Sequence, residues 1–164
     1  MPLPADLNGV LFDGGATWFA SLSGVARFQQ GQLVTWGEAE GLASELCWSV
    51  ARGGDGAIWA ATSEGIARFD GKSWHPAEGT DAGKVAVHGL ATDDTGWLWA
   101  ATAKGLRIMG ISGRTSGNLD SASLVIPDDM RDLTRDEFGR LWALSASSIA
   151  LVSPAPKVVQ PPAR

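Results

Sequence analysis

The sequence predicts an all-β fold, a β-propeller in which four repeats of about 41 residues each form one blade of four antiparallel strands. A recurring tryptophan, a small residue six positions after it and an Asp/Gly turn before it lead to this prediction. The tryptophans Trp18, Trp59, Trp99 and Trp142 are separated by 41, 40 and 43 residues. The small residues six positions later are Gly24, Gly65, Gly105 and Ser148.

Two segments carry the repeat without a gap, and two carry it more loosely. Residues 55–69 (DGAIWAATSEGIARF) align with 95–108 (TGWLWAATAKGLRI), while the looser copies are 14–28 and 138–152. Blades are therefore predicted to start near residues 5, 45, 85 and 128, so that the propeller repeats span residues 1–152. Residues 153–164 are rich in proline and are predicted to be an extended tail or a last outer strand.

Short apolar runs and tight turns define the strands of each repeat. An apolar run precedes each landmark tryptophan and ends in a turn rich in Asp and Gly, as a β-hairpin requires. The runs after the turn are short, apolar and separated by another Gly or Ser, which is typical of successive antiparallel strands. Fourth strands are predicted at 33–36 and 73–75, around 110–112, and at 157–159.

A solenoid of helical repeats is the competing architecture, because several helical repeats have a similar length. Gly or Pro interrupts the chain about every ten residues, and no window holds an apolar stripe of helical period over three turns. We therefore expect helix to be nearly absent. The four landmark tryptophans are predicted to be apolar wedges that fill the space between neighbouring sheets.

Composition excludes several classes of protein. Apolar residues make up 45% and charged residues 19% of the chain, which favours a folded domain over a disordered one. The net charge of -5 is spread over single residues, so nucleic acid is not an expected partner. Cys47 is the only cysteine, and neither a metal nor a cofactor is expected. No signal peptide and no membrane-spanning run is present in this sequence.

Equivalent positions near the start of the inner strands are the candidate ligand-binding residues. Taking Val10, Val50, Leu90 and Leu133 as matched, the residues two positions earlier differ in chemistry: Asn8, Trp48, His88 and Arg131. They would offer an amide, a stacking plane, an imidazole and a cation at the mouth of a central channel. Glu64 and Lys104, in the turns between second and third strands, are candidates at the same end. The alternative interpretation is that these residues are ordinary channel-lining and surface residues.

The pattern D-x-x-G-x-[IL]-W-x-x-T-x-x-G-[IL]-x-[RK]-[FY], which residues 56–69 and 96–108 follow most closely, resembles the two-component regulator propeller repeat. The resemblance covers residues 5–152. It implies a bacterial, periplasmic or extracellular propeller similar to the sensor domains of hybrid histidine kinases, which detect ligands such as polysaccharide fragments. This sequence has four repeats and contains no kinase or receiver segment.

Four blades leave three arrangements open: a closed four-blade monomer, half of an eight-blade ring completed by a second copy, or a fragment of a longer protein. A homodimer or larger assembly is favoured, because an open half ring would expose apolar sheet faces. We expect a non-catalytic binding, sensing or assembly module that recognises a small carbohydrate-like ligand. One alternative is an enzyme of the propeller lyase or lactonase type, although two histidines are too few for a multi-histidine site within one chain. The other alternative is a structural subunit of a larger complex.

Overall fold

The computed structural model describes residues 6–77, 85–109 and 129–152. Fourteen strands and one 3₁₀ turn at Glu38–Glu40 make up the regular secondary structure of these residues, which confirms the all-β prediction. The strands form four antiparallel sheets in which neighbours along the chain are hydrogen-bonded neighbours in space. None of the described segments forms a helix long and apolar enough to cross a membrane.

Each sheet is one blade, and its strands are numbered from the inner strand outward. Blade 1 contains β1 (Leu7–Asp13), β2 (Ala16–Ser21), β3 (Gly24–Gln29) and β4 (Gln32–Trp36). Blade 2 contains β5 (Cys47–Arg52), β6 (Ile58–Thr62), β7 (Gly65–Phe69) and β8 (Trp74–Pro76). Blade 3 contains β9 (Val87–Thr92), β10 (Leu98–Thr102) and β11 (Gly105–Met109). Blade 4 contains β12 (Met130–Arg135), β13 (Leu141–Ser145) and β14 (Ile149–Val152). The predicted outer strands at 110–112 and 157–159, like the proline-rich segment 153–164, lie outside the described residues.

The turn between the second and third strands of each blade explains two positions of the repeat. A Ser or Thr hydroxyl at the end of the second strand donates to the carbonyl oxygen three residues later, in Ser21, Thr62, Thr102 and Ser145. The third strand of blades 1 to 3 begins at a glycine with positive φ. At Gly24, φ is +105° and an added Cβ would lie 2.1 Å from the carbonyl oxygen of Trp36. Only glycine fits such a position without strain.

The blades pack against one another in chain order through their inner strands. β1 packs on β5, β5 on β9 and β9 on β12, whereas β1 and β12 do not pack on each other in this way. An apolar core fills each of the three interfaces. Trp18, Trp59 and Trp99 are buried, one in each core. Trp142 was also predicted to be a core wedge but is only half-buried, because no described blade follows blade 4.

Acidic residues in the tight turns hold two of the landmark indoles. The indole nitrogen of Trp99 donates to Asp93 and that of Trp142 to Asp136, both at 2.9 Å. The Trp142 indole, followed by the amide and guanidinium of Arg140, lowers the pKa of Asp136 to about 2. Burial by itself would raise the pKa of Asp93, but bonds from Thr95, Trp99 and Trp97 outweigh it and lower that pKa. These carboxylates therefore orient the indoles of Trp99 and Trp142.

Candidate ligand-binding end of the inner strands

Each inner strand contains one bulge near its start. The pairing with the second strand shifts register between Leu7 and Gly9 in blade 1, and equivalent shifts occur in the other three blades. The residues left out of the pairing are Asn8, Trp48, His88 and Arg131. A bulge leaves its extra residue unpaired and changes the direction of its side chain, and bulges are frequent beside functional sites. The four candidates chosen from the sequence thus occupy four equivalent bulges.

Contacts between neighbouring blades link the first three bulge residues. The Asn8 side-chain amide donates to the carbonyl oxygen of Cys47, the residue before Trp48, at 2.8 Å. The rings of Trp48 and His88 lie with centroids 6.0 Å apart and planes tilted by 52°. Trp48 is half-buried as a whole, but its indole nitrogen is itself buried and has no hydrogen-bond partner among the described residues. Asn8, Trp48 and His88 therefore form a series across three adjacent blades.

Arg131 extends the series with a solvated cation. Its guanidinium lies 3.0 Å from the carboxylate of Asp129, and both side chains are exposed. Asp129 has a φ of 70°, and its backbone amide donates to the carbonyl oxygen of Ala103 in the neighbouring turn of blade 3. An exposed ion pair of this kind contributes little to stability. The guanidinium can therefore exchange its partner for a ligand at small cost.

The backbone beside the bulges is tightly packed. An added Cβ on Gly89 would lie 2.7 Å from the backbone nitrogen of Leu133, and one on Gly9 would lie 3.1 Å from the carbonyl oxygen of Trp48. In blades 2 and 4 the position that corresponds to Gly9 and Gly89 carries Ser49 and Asp132. Ser49 accepts a bond from the amide of Leu90 at 3.3 Å, whereas Asp132 accepts from the amide of Leu133. These two polar residues were not predicted from the sequence, although the repeat places both directly after a candidate.

Glu64 and Lys104 lie at the tips of the β6–β7 and β10–β11 turns, and both are exposed. Their backbone amides donate to the hydroxyls of Thr62 and Thr102 at 3.2 and 3.1 Å. The amide of Ser63 donates to the carbonyl of Leu46, which places the β6–β7 turn beside the start of β5. The turn tips are thus at the end of the blades that carries the bulges.

Residues suited to catalysis do not converge at this end in the described part of the chain. Cys47 is buried, and burial followed by the charge of Glu45 raises the pKa of its thiol to about 12. Such a thiol stays protonated and is a poor nucleophile. His75 lies on the outer strand of blade 2, away from His88 on an inner strand. The described residues contain no group of three or more His, Cys, Asp or Glu side chains placed to hold a metal ion.

Known structures share this fold at low sequence identity. The extracellular domain of the hybrid two component system BT3049 from B. thetaiotaomicron aligns with a TM-score of 0.71 and 18% identity, covering 92% of this chain and 21% of that domain. PorZ, a bacterial surface component of the type-IX secretion system of Porphyromonas gingivalis, aligns with 0.62 and 17%, covering 87% and 24%. A streptogramin B lyase aligns with 0.58 and 15%, covering 93% and 53%.

These comparisons show the fold of the chain, which is that of β-propeller blades. The chain spans only 21% to 28% of the length of the BT3049 and BT4673 extracellular domains that it matches. No protein-family model matches the sequence, and no curated protein matches it. The structural neighbours include extracellular domains of two-component systems as well as a lyase, so the fold is compatible with both binding and catalysis.

Proposed function

We propose that this chain is a non-catalytic binding module of the two-component regulator propeller type, whose ligand contacts the inner-strand end that carries the bulges. The observation that carries the proposal is the placement of four chemically different residues, Asn8, Trp48, His88 and Arg131, at four equivalent bulges. Because the four bulges are structurally equivalent, a packing role would favour similar side chains at them. The different side chains that are present favour a role in ligand recognition. The resemblance to extracellular sensor domains supports a location outside the cytoplasm.

The chemistry of the bulge residues favours a small carbohydrate-like ligand. Trp48 presents a half-buried aromatic surface, on which the apolar face of a sugar ring can pack. The imidazole of His88 and the guanidinium of Arg131 supply hydrogen-bonding groups for hydroxyls or a carboxylate. A few polar groups around an aromatic surface are the usual composition of a small-molecule site.

A binding assay with matched variants tests the proposal. Soluble oligosaccharides, neutral and acidic, are screened against the folded chain, and hits are measured by titration calorimetry. Trp48→Ala and Arg131→Ala are expected to weaken a hit at least about tenfold each, the loss of roughly one good contact. Lys72→Ala is the control, because Lys72 lies in the β7–β8 turn at the other end of its blade. Unchanged affinity in both site variants would remove the bulges from the site.

A lyase is the second candidate function. His88 supports it, because its imidazole lies beside the ring of Trp48, on which the sugar would pack. A lyase of this kind would use His88 as a general base in the abstraction of a proton from its substrate. Turnover of a bound oligosaccharide that is abolished by His88→Gln with binding retained would establish catalysis. Binding without turnover in the wild-type chain would support the non-catalytic module.

A further inference from the structure

Each blade has two unlike faces, and they pack in one direction only. The landmark tryptophan lies on the face turned toward the next blade, here called the forward face. It packs against the backward face of that blade, which carries the inner-strand residue matched to Val50. The three cores combine Trp18 with Val50, Trp59 with Leu90, and Trp99 with Leu133. Every internal interface thus joins a forward face to a backward face.

The backward face of blade 1 is apolar and exposed. Val10 and Phe12 are 53% and 79% exposed, and Phe28 is also exposed. By strand register, Val10 is equivalent to Val50 and Phe28 to Phe69. Val50 is 7% exposed, and Phe69 is buried against blade 1. Blade 1 therefore has a backward face of the kind that is buried inside the molecule, without a blade to cover it among the described residues.

The forward face of blade 4 is the complementary half of such an interface. It carries Trp142 and Leu144, which are half-buried, together with Leu151, which is exposed. Ile149 pairs with Leu144 and is 69% exposed, whereas its equivalent Ile66 in blade 2 is 0% exposed. Repeat proteins that end in solvent usually carry a polar outer face on the terminal repeat. The two faces left uncovered by the described blades instead carry mostly apolar side chains, with the guanidinium of Arg140 5.6 Å from the centre of the Trp142 ring.

Residues at the rim distinguish the terminal faces from the internal interfaces. Ion pairs join the blades at two internal rims, between Asp13 and Arg52 and between Asp94 and Arg135. By register, Phe12 occupies in blade 1 the position that Arg52 occupies in blade 2. The turn of blade 4 carries Phe138, whose exposed ring lies 5.1 Å from the guanidinium of Arg140. Phe12, an aromatic side chain in place of a rim cation, favours a partner surface that is itself apolar.

We propose that two copies of this chain close an eight-blade ring, in which the forward face of blade 4 in each copy packs on the backward face of blade 1 in the other. Trp142 then contacts the partner's Phe28 as Trp18 contacts Phe69, at 5.3 Å between ring centroids. A ring of two copies contains two such junctions, and each junction buries one forward face and one backward face. Eight blades lie within the range of known propellers, whereas three copies would exceed it. This inference does not rest on the proposed ligand.

The mass in solution, measured by light scattering across a concentration series, tests the ring. The wild-type chain is expected at twice its 17.1 kDa. Phe12→Lys and Ile149→Lys each place a charge in both junctions of the ring and should weaken association by at least about a hundredfold. Both side chains are mostly exposed within one chain, so the monomer should fold, as circular dichroism will check. Leu46→Lys, an exposed apolar residue in the loop before blade 2, is the control and should remain dimeric.

Mixing the two variants tests the direction of the contact. A dimer of one Phe12→Lys chain and one Ile149→Lys chain has both charges in one junction and leaves the other junction wild type. The mixture is therefore expected to form more dimer than either variant alone. If the dimer formed through two blade 1 faces, Ile149→Lys would leave its association unchanged, and that result would overturn the proposal.

Two further outcomes would also overturn it. A wild-type chain that stays monomeric at high concentration would show that something other than a second copy covers the faces. If removal of residues 153–164 then produced dimers, the terminal segment would be that cover. Open-ended growth to masses above the dimer would mean that the head-to-tail contact does not close after two copies.

Discussion

Replacing Trp59 by Ala tests the proposed role of the landmark tryptophans as wedges between blades. Trp59 is buried and shares the second core with Ile66, Leu90 and Leu98. Truncation of a buried Trp to Ala typically lowers the free energy of unfolding by about 3 to 5 kcal/mol. Backbone ladders hold the strands on both sides of this core, so the cavity cannot collapse easily. We therefore expect a loss in the upper half of that range.

A smaller contribution comes from Arg68, whose guanidinium lies 5.9 Å from the centre of the Trp59 ring and is fixed by Asp55 at 2.8 Å. Because this arginine is partly exposed, its cation–π contact is worth about 0.5 to 1 kcal/mol. Arg68→Met keeps much of the apolar stem and measures the cation–π contact together with the ion pair to Asp55. The rest of the free energy of unfolding that is lost in Trp59→Ala is then due to lost packing.

Urea unfolding followed by circular dichroism is the assay, because fluorescence would average over 8 tryptophans. All variants are compared at one protein concentration, since self-association would add to the apparent stability. Trp48→Ala makes the same chemical change at a half-buried bulge and is expected to cost only about 1 to 2 kcal/mol. A Trp59→Ala loss below about 1 kcal/mol would refute the wedge role. Equal losses at the two positions would refute the distinction between wedge and bulge.

Three further predictions concern a turn carboxylate, a strained glycine and the cysteine. Asp136 has a pKa of about 2, below its unfolded value, mainly because of the bond from Trp142, so its stabilising effect is complete above about pH 4 and is lost as the pH falls toward 2. Asp136→Asn should flatten the dependence of the urea midpoint on pH in that window, and an unchanged slope would contradict the assignment. Gly24→Ala should lower the free energy of unfolding by at least about 2 kcal/mol, because φ is positive there and the new Cβ would clash with a backbone oxygen. Gly14→Ala also has a positive φ, +54°, but its Cβ would lie in open space, so the loss in the same urea assay should be about 1 kcal/mol. Cys47 should react with a thiol reagent at pH 8 only after urea is added, because its pKa is raised to about 12, and rapid labelling of the folded chain would contradict its burial.

Much of the fold could be predicted from the sequence because each repeat position serves the same physical purpose in several blades. The glycine six residues after the tryptophan recurs because the third strand starts at positive φ, as at Gly24 and Gly65. The exposure of Trp142 could not be predicted in this way. Its position in the repeat is the same as that of Trp59, and its burial depends on what lies beyond blade 4 rather than on its own repeat.

The candidate site was only partly accessible to sequence analysis. Asn8, Trp48, His88 and Arg131 differ in size, charge and aromatic character, so the alignment could mark their position but not the bulge that leaves them out of the strand pairing. One local signal was present: a glycine directly follows two of them, at Gly9 and Gly89. Glycine within a strand often marks a bulge or the close approach of another backbone, and both apply here. The Trp48–His88 contact joins two blades and has no counterpart in local sequence.

The bulges separate recognition from stability within one strand. The bulge residue is left out of the pairing, whereas the residue two positions later, such as Val50 or Leu90, is buried in an interface core. Side chains can therefore change at the bulge while the apolar interface cores keep their packing, although contacts such as Asn8 with Cys47 would be lost. In a ring of two copies, each bulge residue would occur twice, on opposite sides of the axis. A ligand on that axis would bind once per two chains, whereas a ligand held between adjacent bulges such as Trp48 and His88 would bind once per chain. The stoichiometry of a titration thus reports which of the two sites is used.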